Sequence, residues 1–336
     1  IERYIMCDNP IPVILCSHPK EFFGNFTIST RQYNEVVQLR KEYLFFPSER
    51  NSRYISRFHN VQTVYLPCGK CIQCLNSRAK SWEVRSSLEL SKYKHSICLT
   101  LTYDDEHLPP FGKLRYSDVQ KFIKRIRKDC KVPIKYMCCG EYGGTKTRPH
   151  YHIIIFNYLP PDKLRLYKRT SKGTLLYKSD YLTSKWGHGF VDVGRVNHQT
   201  CRYVSQYCCK KLLNTTVKMP PRFKRIYDWK CKKSREFLHC SVGFGLDWFK
   251  RNYRSVIESG KIVLGRFTYA IPRYFIKSLE SINKELFKKY KEKTHNFWLN
   301  FKNAPDDVYR SKIRTDRLLS KLNLFHSDNL SLLASC

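Results

Sequence analysis

Gly140–Phe156, GEYGGTKTRPHYHIIIF, places a turn-forming centre between two arms with the composition of strands. Its glycines and polar residues supply turn chemistry, and the flanking segments Ile134–Tyr142 and His150–Tyr158 read as strands, so a hairpin is expected. In an extended strand residues i and i+2 face the same side, which points His150 and His152 at one place. Glu141 would reach that place across the turn. Two imidazoles and a carboxylate suit a divalent ion that keeps open coordination positions. Taken alone, an H-x-H pair reads equally as two satisfied structural histidines.

Strands and helices alternate outward from this hairpin. Ile97–Tyr103 (ICLTLTY) reads as a strand ending in the acidic group Asp104, Asp105 and Glu106. Ser117–Gln120 has the S-x-x-Q form of a capping box, and Val119, Phe122, Ile123 and Ile126 follow at helical spacing. The opposite face carries Lys121, Lys124, Arg125, Arg127 and Lys128, either a solvated face or a track for phosphates, with Lys121, Lys124, Arg125 and Lys128 as candidate DNA-binding residues. A helix near Asp180–Trp186 and a strand near Phe190–Val196 are expected next.

Asn197 can cap a helix reaching about Leu213. At about 100° per residue, Cys201, Val204, Cys208 and Leu212 form its apolar stripe, while Tyr203, Tyr207 and Lys210 share the other side. Two tyrosines at i and i+4 lie about 6 Å apart along the axis, so either can be presented to one centre. A tyrosine is a poor nucleophile at its free pKa of about 10, but a metal-bound phosphate and a nearby cation such as Lys210 ease the attack. The product would be a 5′-phosphotyrosine, which a DNA 3′-hydroxyl can reseal.

The whole chain has 336 residues, and 62 Lys+Arg against 28 Asp+Glu give a net charge of +34. Such a surface calls for an anionic partner, and nucleic acid fits better than a membrane because no run of about 18 apolar residues occurs. The 23 Tyr and 20 Phe include rings that can stack unpaired bases. Fifteen cysteines, an odd number with adjacent pairs, do not form a disulfide framework, and with no secretory pattern in view a reducing cytoplasm is expected. PCGKCIQC spaces Cys68, Cys71 and Cys74 as C-x2-C-x2-C, a candidate structural zinc site with Cys16 or Cys7 as a possible fourth thiolate; buried thiols at a helix start are the alternative. Leu75–Leu90 is helical in pattern. The first 66 residues are poorly periodic, Ile276–Tyr290 carries one apolar stripe, and boundaries divide the chain into 1–90, 91–215 and a basic 216–336.

Three motifs together resemble the HUH endonucleases that initiate rolling-circle replication: LTLTYDDEHLP (Leu99–Pro109), RPHYHIIIF (Arg148–Phe156) and YVSQYCCKK (Tyr203–Lys211). PCGKCIQC, GEYGGTKTRPHYH and IPRYFIK (Ile271–Lys277) make it similar, more narrowly, to the initiators of the Microviridae and of their gokushovirus branch, which infects bacteria such as Chlamydia. The resemblance implies an α+β HUH endonuclease fold, an antiparallel five-stranded sheet flanked by helices, with N- and C-terminal extensions. It implies Mg2+ or Mn2+ at His150, His152 and Glu141, with Asp104 or Asp105 as alternatives for the third ligand, and Tyr203 and Tyr207 as nucleophiles assisted by Lys210. Viral single-stranded and replicative-form double-stranded DNA, host helicase and host DNA polymerase are the implied partners, in the host bacterial cytoplasm and away from any membrane. A relaxase or transposase of the same chemistry, a water-using phosphohydrolase and a non-catalytic single-strand binding protein are the other readings. Relaxases usually carry a third histidine where this chain has Ile154.

Overall fold

The computed structural model describes residues 11–19, 36–39, 42–45, 58–66, 68–69, 71–143, 147–170, 173–213, 225–226, 228–230 and 233–301. Of the strand residues before 67 other than Val61, and of 207–213 and 295–301, the backbone alone is described. The described residues fall into two units, divided between Cys74 and Leu75.

In the first unit, β1 (Ile11–Pro19), β2 (Val36–Leu39), β3 (Glu42–Phe45) and β4 (Phe58–Leu66) form an antiparallel sheet in the order β2-β3-β1-β4. The poor periodicity of this stretch concealed it, because β1 reads IPVILCSHP, a nearly continuous apolar run without strict alternation. Helix α1 (Ile72–Leu90) follows.

The second unit contains β5 (Ser96–Tyr103), α2 (Tyr116–Asp129), β6 (Lys135–Tyr142), β7 (Pro149–Phe156), β8 (Arg165–Arg169), β9 (Leu175–Lys178), α3 (Asp180–Trp186), β10 (Gly189–Arg195) and α4 (His198–Leu213). After them come β11 (Phe237–Cys240), α5 (Leu246–Ser259), the hairpin of β12 (Lys261–Leu264) and β13 (Phe267–Ala270), α6 (Arg273–Ile282) and α7 (Lys284–Phe301). The fold is α+β, with one large antiparallel sheet flanked by helices.

That sheet has seven strands in the order β11-β6-β7-β5-β10-β9-β8, not the expected five. The additions lie towards its edges. β8 is mostly exposed and reads RLYKR, and β11 is a four-residue FLHC after a basic stretch, so neither carries an alternating apolar pattern. Gly140 admits β11: a Cβ there would stand 2.6 Å from the Phe237 ring.

Alternation assigns the faces of the central strands. Ile97, Leu99, Leu101 and Tyr103 of β5 join Ile153 and Ile155 of β7 and Val191 and Val193 of β10 against α2 and α3. Helix α2 contributes Val119, Phe122, Ile123 and Ile126, all fully buried and each worth roughly 1.5–3 kcal/mol of apolar transfer. On the other face Met137, Cys139, Ile154 and Phe156 pack against Cys201 and Val204 of α4 and against Phe244. A third cluster joins Val84 and Leu88 of α1 to Phe249, Val256, Phe275 and Leu279 of α5 and α6.

Two local expectations are corrected. The Ser117 capping box does not form: α2 begins one residue earlier, no side chain caps it, and Asp118 is occupied by the Tyr103 hydroxyl at 2.8 Å. Ile276–Tyr290 is broken at Asn283, whose extended backbone ends α6 and whose side-chain oxygen accepts from Leu286 N at 2.9 Å to start α7. The apolar stripe continues across the break, with Leu279 buried and Ile282, Leu286 and Tyr290 packed against the same cluster. Among the described residues no helix is long and apolar enough to cross a membrane.

Candidate active site

Three adjacent strands build the site. β7 lies between β6 and β5, and the register sets Glu141 opposite His150 and Thr100 opposite His152. All four residues therefore rise on the sheet face that α4 covers. Glu141 Oε1 lies 2.6 Å from His150 Nε2 and 3.2 Å from His152 Nε2. Glu141 and His152 are buried and His150 is half-buried.

Each imidazole is fixed at its other nitrogen. His150 Nδ1 lies 3.1 Å from the Arg148 carbonyl oxygen, which can only accept, so Nδ1 carries the proton and Nε2 presents a lone pair. His152 Nδ1 is 3.1 Å from the Thr100 hydroxyl, which serves the same purpose. Such partners orient metal-binding histidines. Glu141, His150 and His152 each offer a ligand atom, all within 4.8 Å of one another, and the group can hold a metal ion. Two nitrogens and one carboxylate suit Mg2+ or Mn2+ less closely than an all-oxygen set would, but they match the open facial arrangement of borderline divalent ions.

Arg148 locks the turn to β5. Its Nε and Nη2 donate to the Tyr103 carbonyl at 3.1 and 2.8 Å, and its Nη1 pairs with Asp105 at 2.7 Å. Asp104 instead accepts from the His107 backbone and side chain, at 2.8 and 2.7 Å, and these bonds hold its carboxyl below the usual range. The two acidic alternatives to Glu141 are thus engaged elsewhere.

Helix α4 starts as expected, with the Asn197 side-chain oxygen accepting from Thr200 N at 2.9 Å. Cys201 and Val204 are buried against the sheet, and Tyr203, half-buried, meets the His152 ring edge-on at a centroid distance of 5.8 Å. The side chains of Tyr207 and Lys210 lie outside the described residues, although both positions belong to α4. The neighbouring buried phenols differ in kind: burial and hydrogen bonding push Tyr103 and Tyr151 well above the ordinary tyrosine pKa, and both sit on the opposite face.

A family model described as replication-associated protein ORF2 matches residues 96–212, the span holding β5 to α4. The replication-associated protein VP4 of Bdellovibrio phage phiMH2K is 31% identical over 234 residues, 67% of this chain and 70% of that protein. The ORF2 protein of Spiroplasma virus 4, also called replication-associated, is 31% identical over 68% of this chain and 72% of its own length. The chain belongs to the replication-associated protein family of the Microviridae. The replication-associated protein ORF4 of Chlamydia phage 1 is 28% identical over 330 residues, 89% of this chain and 78% of that protein. No solved structure matches the chain.

In this family member the basic face of α2 divides. Lys121, Lys124 and Lys128 are exposed. Arg125 instead donates to the carbonyls of Lys185 and Trp186, the latter at 3.1 Å, and so caps the end of α3. The three sulfurs of Cys68, Cys71 and Cys74 lie together. Cys7 lies outside the described residues, and the strand register argues against Cys16 as a fourth thiolate. Ile11 pairs with Leu66 but Cys16 pairs with Val61, about 17 Å farther along at ~3.3 Å per residue. The two residues from Leu66 to Cys68 span at most about 7 Å.

Sequence reading missed Thr100, although LTLTY shows its signal: a polar residue every second position of a strand whose other face is apolar. It also missed an aromatic pair beside the hairpin turn. Phe111, 71% exposed and at φ 61°, meets the Trp229 ring at 5.7 Å. Lys113 Nζ lies 5.0 Å from the Phe111 ring centre, and Lys230 Nζ donates to the Thr147 carbonyl at 2.9 Å, three residues before His150. Chain distance hid this pair.

Proposed function

We propose that this chain initiates rolling-circle replication of a small phage genome by nicking the viral strand at its origin and later rejoining it. The reading rests on one observation above others: Glu141, His150 and His152 converge beside Tyr203, the first tyrosine of Y-x3-Y-x2-K. The relatives are replication-associated proteins of phages, which agrees with it.

A divalent ion, Mg2+ or Mn2+, held by these three residues would draw electron density from the scissile phosphate. Tyr203 or Tyr207 attacks phosphorus through its phenolic oxygen, and the bond from phosphorus to the 3′-oxygen breaks. The phenolic proton leaves to solvent or a nearby base, the departing 3′-oxygen takes up a proton, and the 5′ end stays on tyrosine. Lys210 offsets the developing negative charge. The free 3′-hydroxyl then primes host polymerase, with a host helicase opening the duplex. After one circuit the second tyrosine cleaves the regenerated origin, and the 3′-hydroxyl released attacks the first phosphotyrosine to close the circle. A helix carrying two tyrosines over a metal-binding sheet face is the HUH arrangement.

The strand to be cut needs a path. Phe111 and Trp229 offer stacking faces for unpaired bases, and Lys113 and Lys230 offer charge beside the turn that leads to His150. This chemistry belongs in the host bacterial cytoplasm, where the phage genome is copied.

Labelled single-stranded origin DNA incubated with the protein and Mg2+ or Mn2+ tests the proposal. Site-specific nicking that stops with EDTA and with His150→Ala/His152→Ala is expected. Binding without cleavage under all metal conditions would favour a non-catalytic binding protein, and untethered hydrolysed ends would favour a phosphohydrolase.

A further inference from the structure

The cluster Cys68, Cys71 and Cys74 takes no part in the chemistry above. Its three Sγ atoms lie within 4.8 Å of one another, and Cys68 Sγ and Cys74 Sγ are 4.0 Å apart. Three sulfurs on a tetrahedral zinc ion at ~2.3 Å each would be separated by ~3.8 Å.

The backbone around them is arranged for thiolates. Cys71 N donates to Cys68 Sγ at 3.3 Å, and Cys74 N donates to Cys71 Sγ at 3.5 Å. Amide-to-sulfur bonds directed three residues back favour the charged sulfur over the neutral thiol. Gly69 at φ 71° makes the turn that lets the chain curl around its own sulfurs, a conformation that costs glycine little. Helix α1 begins at Ile72, immediately after Cys71, and its first turn contains no acidic residue. The positive end of the helix therefore acts on the cysteines, which lowers thiol pKa values.

We infer that Cys68, Cys71 and Cys74 bind a structural zinc ion as three thiolates. Soft sulfur ligands in a tetrahedral disposition select Zn2+ over the hard ions suited to the Glu141 site, and the fourth position is left to a water or one further side chain. The ion fixes the turn between β4 and α1. A disulfide would join only two of the three sulfurs and leave the pattern of amide donors without a purpose.

Metal content of the full chain carrying His150→Ala and His152→Ala separates this site from the one beside Tyr203. After exhaustive dialysis with reduced thiols, about one zinc per chain is expected, falling to none when Cys68, Cys71 and Cys74 are all changed to Ser. Cobalt replacement keeps the test independent of how the triple variant folds. In the otherwise unaltered chain, Co2+ should give intense tetrahedral d–d bands and a near-ultraviolet thiolate charge-transfer band. Absence of zinc from the dialysed protein, absence of the charge-transfer band, or zinc surviving the triple substitution would each overturn the inference. Because nicking is not the readout, failure here leaves the proposed endonuclease untouched, and the converse holds.

Discussion

His150 and His152 direct their Nε2 atoms at one carboxylate oxygen because Arg148 and Thr100 hold the opposite nitrogens. Thr100→Val keeps the shape of the side chain and removes that partner of His152. By the usual cost of losing an outer partner, metal affinity is expected to fall by about 10- to 100-fold while the fold survives, measurable by titrating Mn2+ against cleavage rate. An unchanged Mn2+ requirement would mean that Thr100 does not position the ring. A second prediction concerns the tyrosines that are not nucleophiles. Burial, Tyr151 and Asp118 raise the Tyr103 pKa, so the phenol is protonated in the folded protein at a pH where the unfolded chain has begun to ionise. That contribution is complete below pH ~10 and is lost as pH rises beyond it, so denaturant midpoints should drop between about pH 9 and 11. The H-x-H pair and Glu141 were legible because strand periodicity alone puts them on one face. Thr100 was not read, because its role depends on which strand neighbours β7.

At the level of elements, α2 has one exposed lysine row and one arginine spent on packing. Lys121, Lys124 and Lys128 changed together to Ala should lower the slope of log affinity for single-stranded DNA against log salt by about 2, at ~0.7 for each phosphate no longer neutralised. Arg125→Ala should act on stability instead, by about 1–3 kcal/mol, because it removes charged hydrogen bonds to the end of α3. The sequence offered no way to separate them: all four face away from the apolar stripe, and the residues that Arg125 caps lie about 60 positions on. The hairpin, the Asn197-capped helix and the strand ICLTLTY were readable from local pattern. The outer strands β8, β9 and β11 were not, since a strand near a sheet edge can be short and polar and its partner is chosen by the rest of the sheet. Phe111 and Trp229, brought together over more than a hundred residues, form a third element-scale feature. Phe111→Ala should weaken binding of unpaired DNA by about 1–3 kcal/mol and leave duplex binding nearly unchanged, as competition binding would show.

Across the whole molecule, a net charge of +34 supplies non-specific attraction for DNA, while the sheet face beneath α4 supplies the site. The proposed division of labour predicts that substitutions at Glu141, His150 and His152 abolish nicking yet leave most salt-sensitive binding. Family membership was legible from three motifs spread between Leu99 and Lys211, and the matched span, residues 96–212, covers the strands and helix that assemble the site. The central claim is that a tyrosine of α4 becomes covalently joined to the 5′ end of the cut strand. The direct measurement is an SDS-resistant adduct formed with labelled single-stranded origin DNA and Mn2+, in the wild type and in Tyr203→Phe, Tyr207→Phe and the double variant. An adduct in the wild type, altered joining in either single variant and no adduct in the double variant is the expected result; an adduct that persists in the double variant contradicts the account.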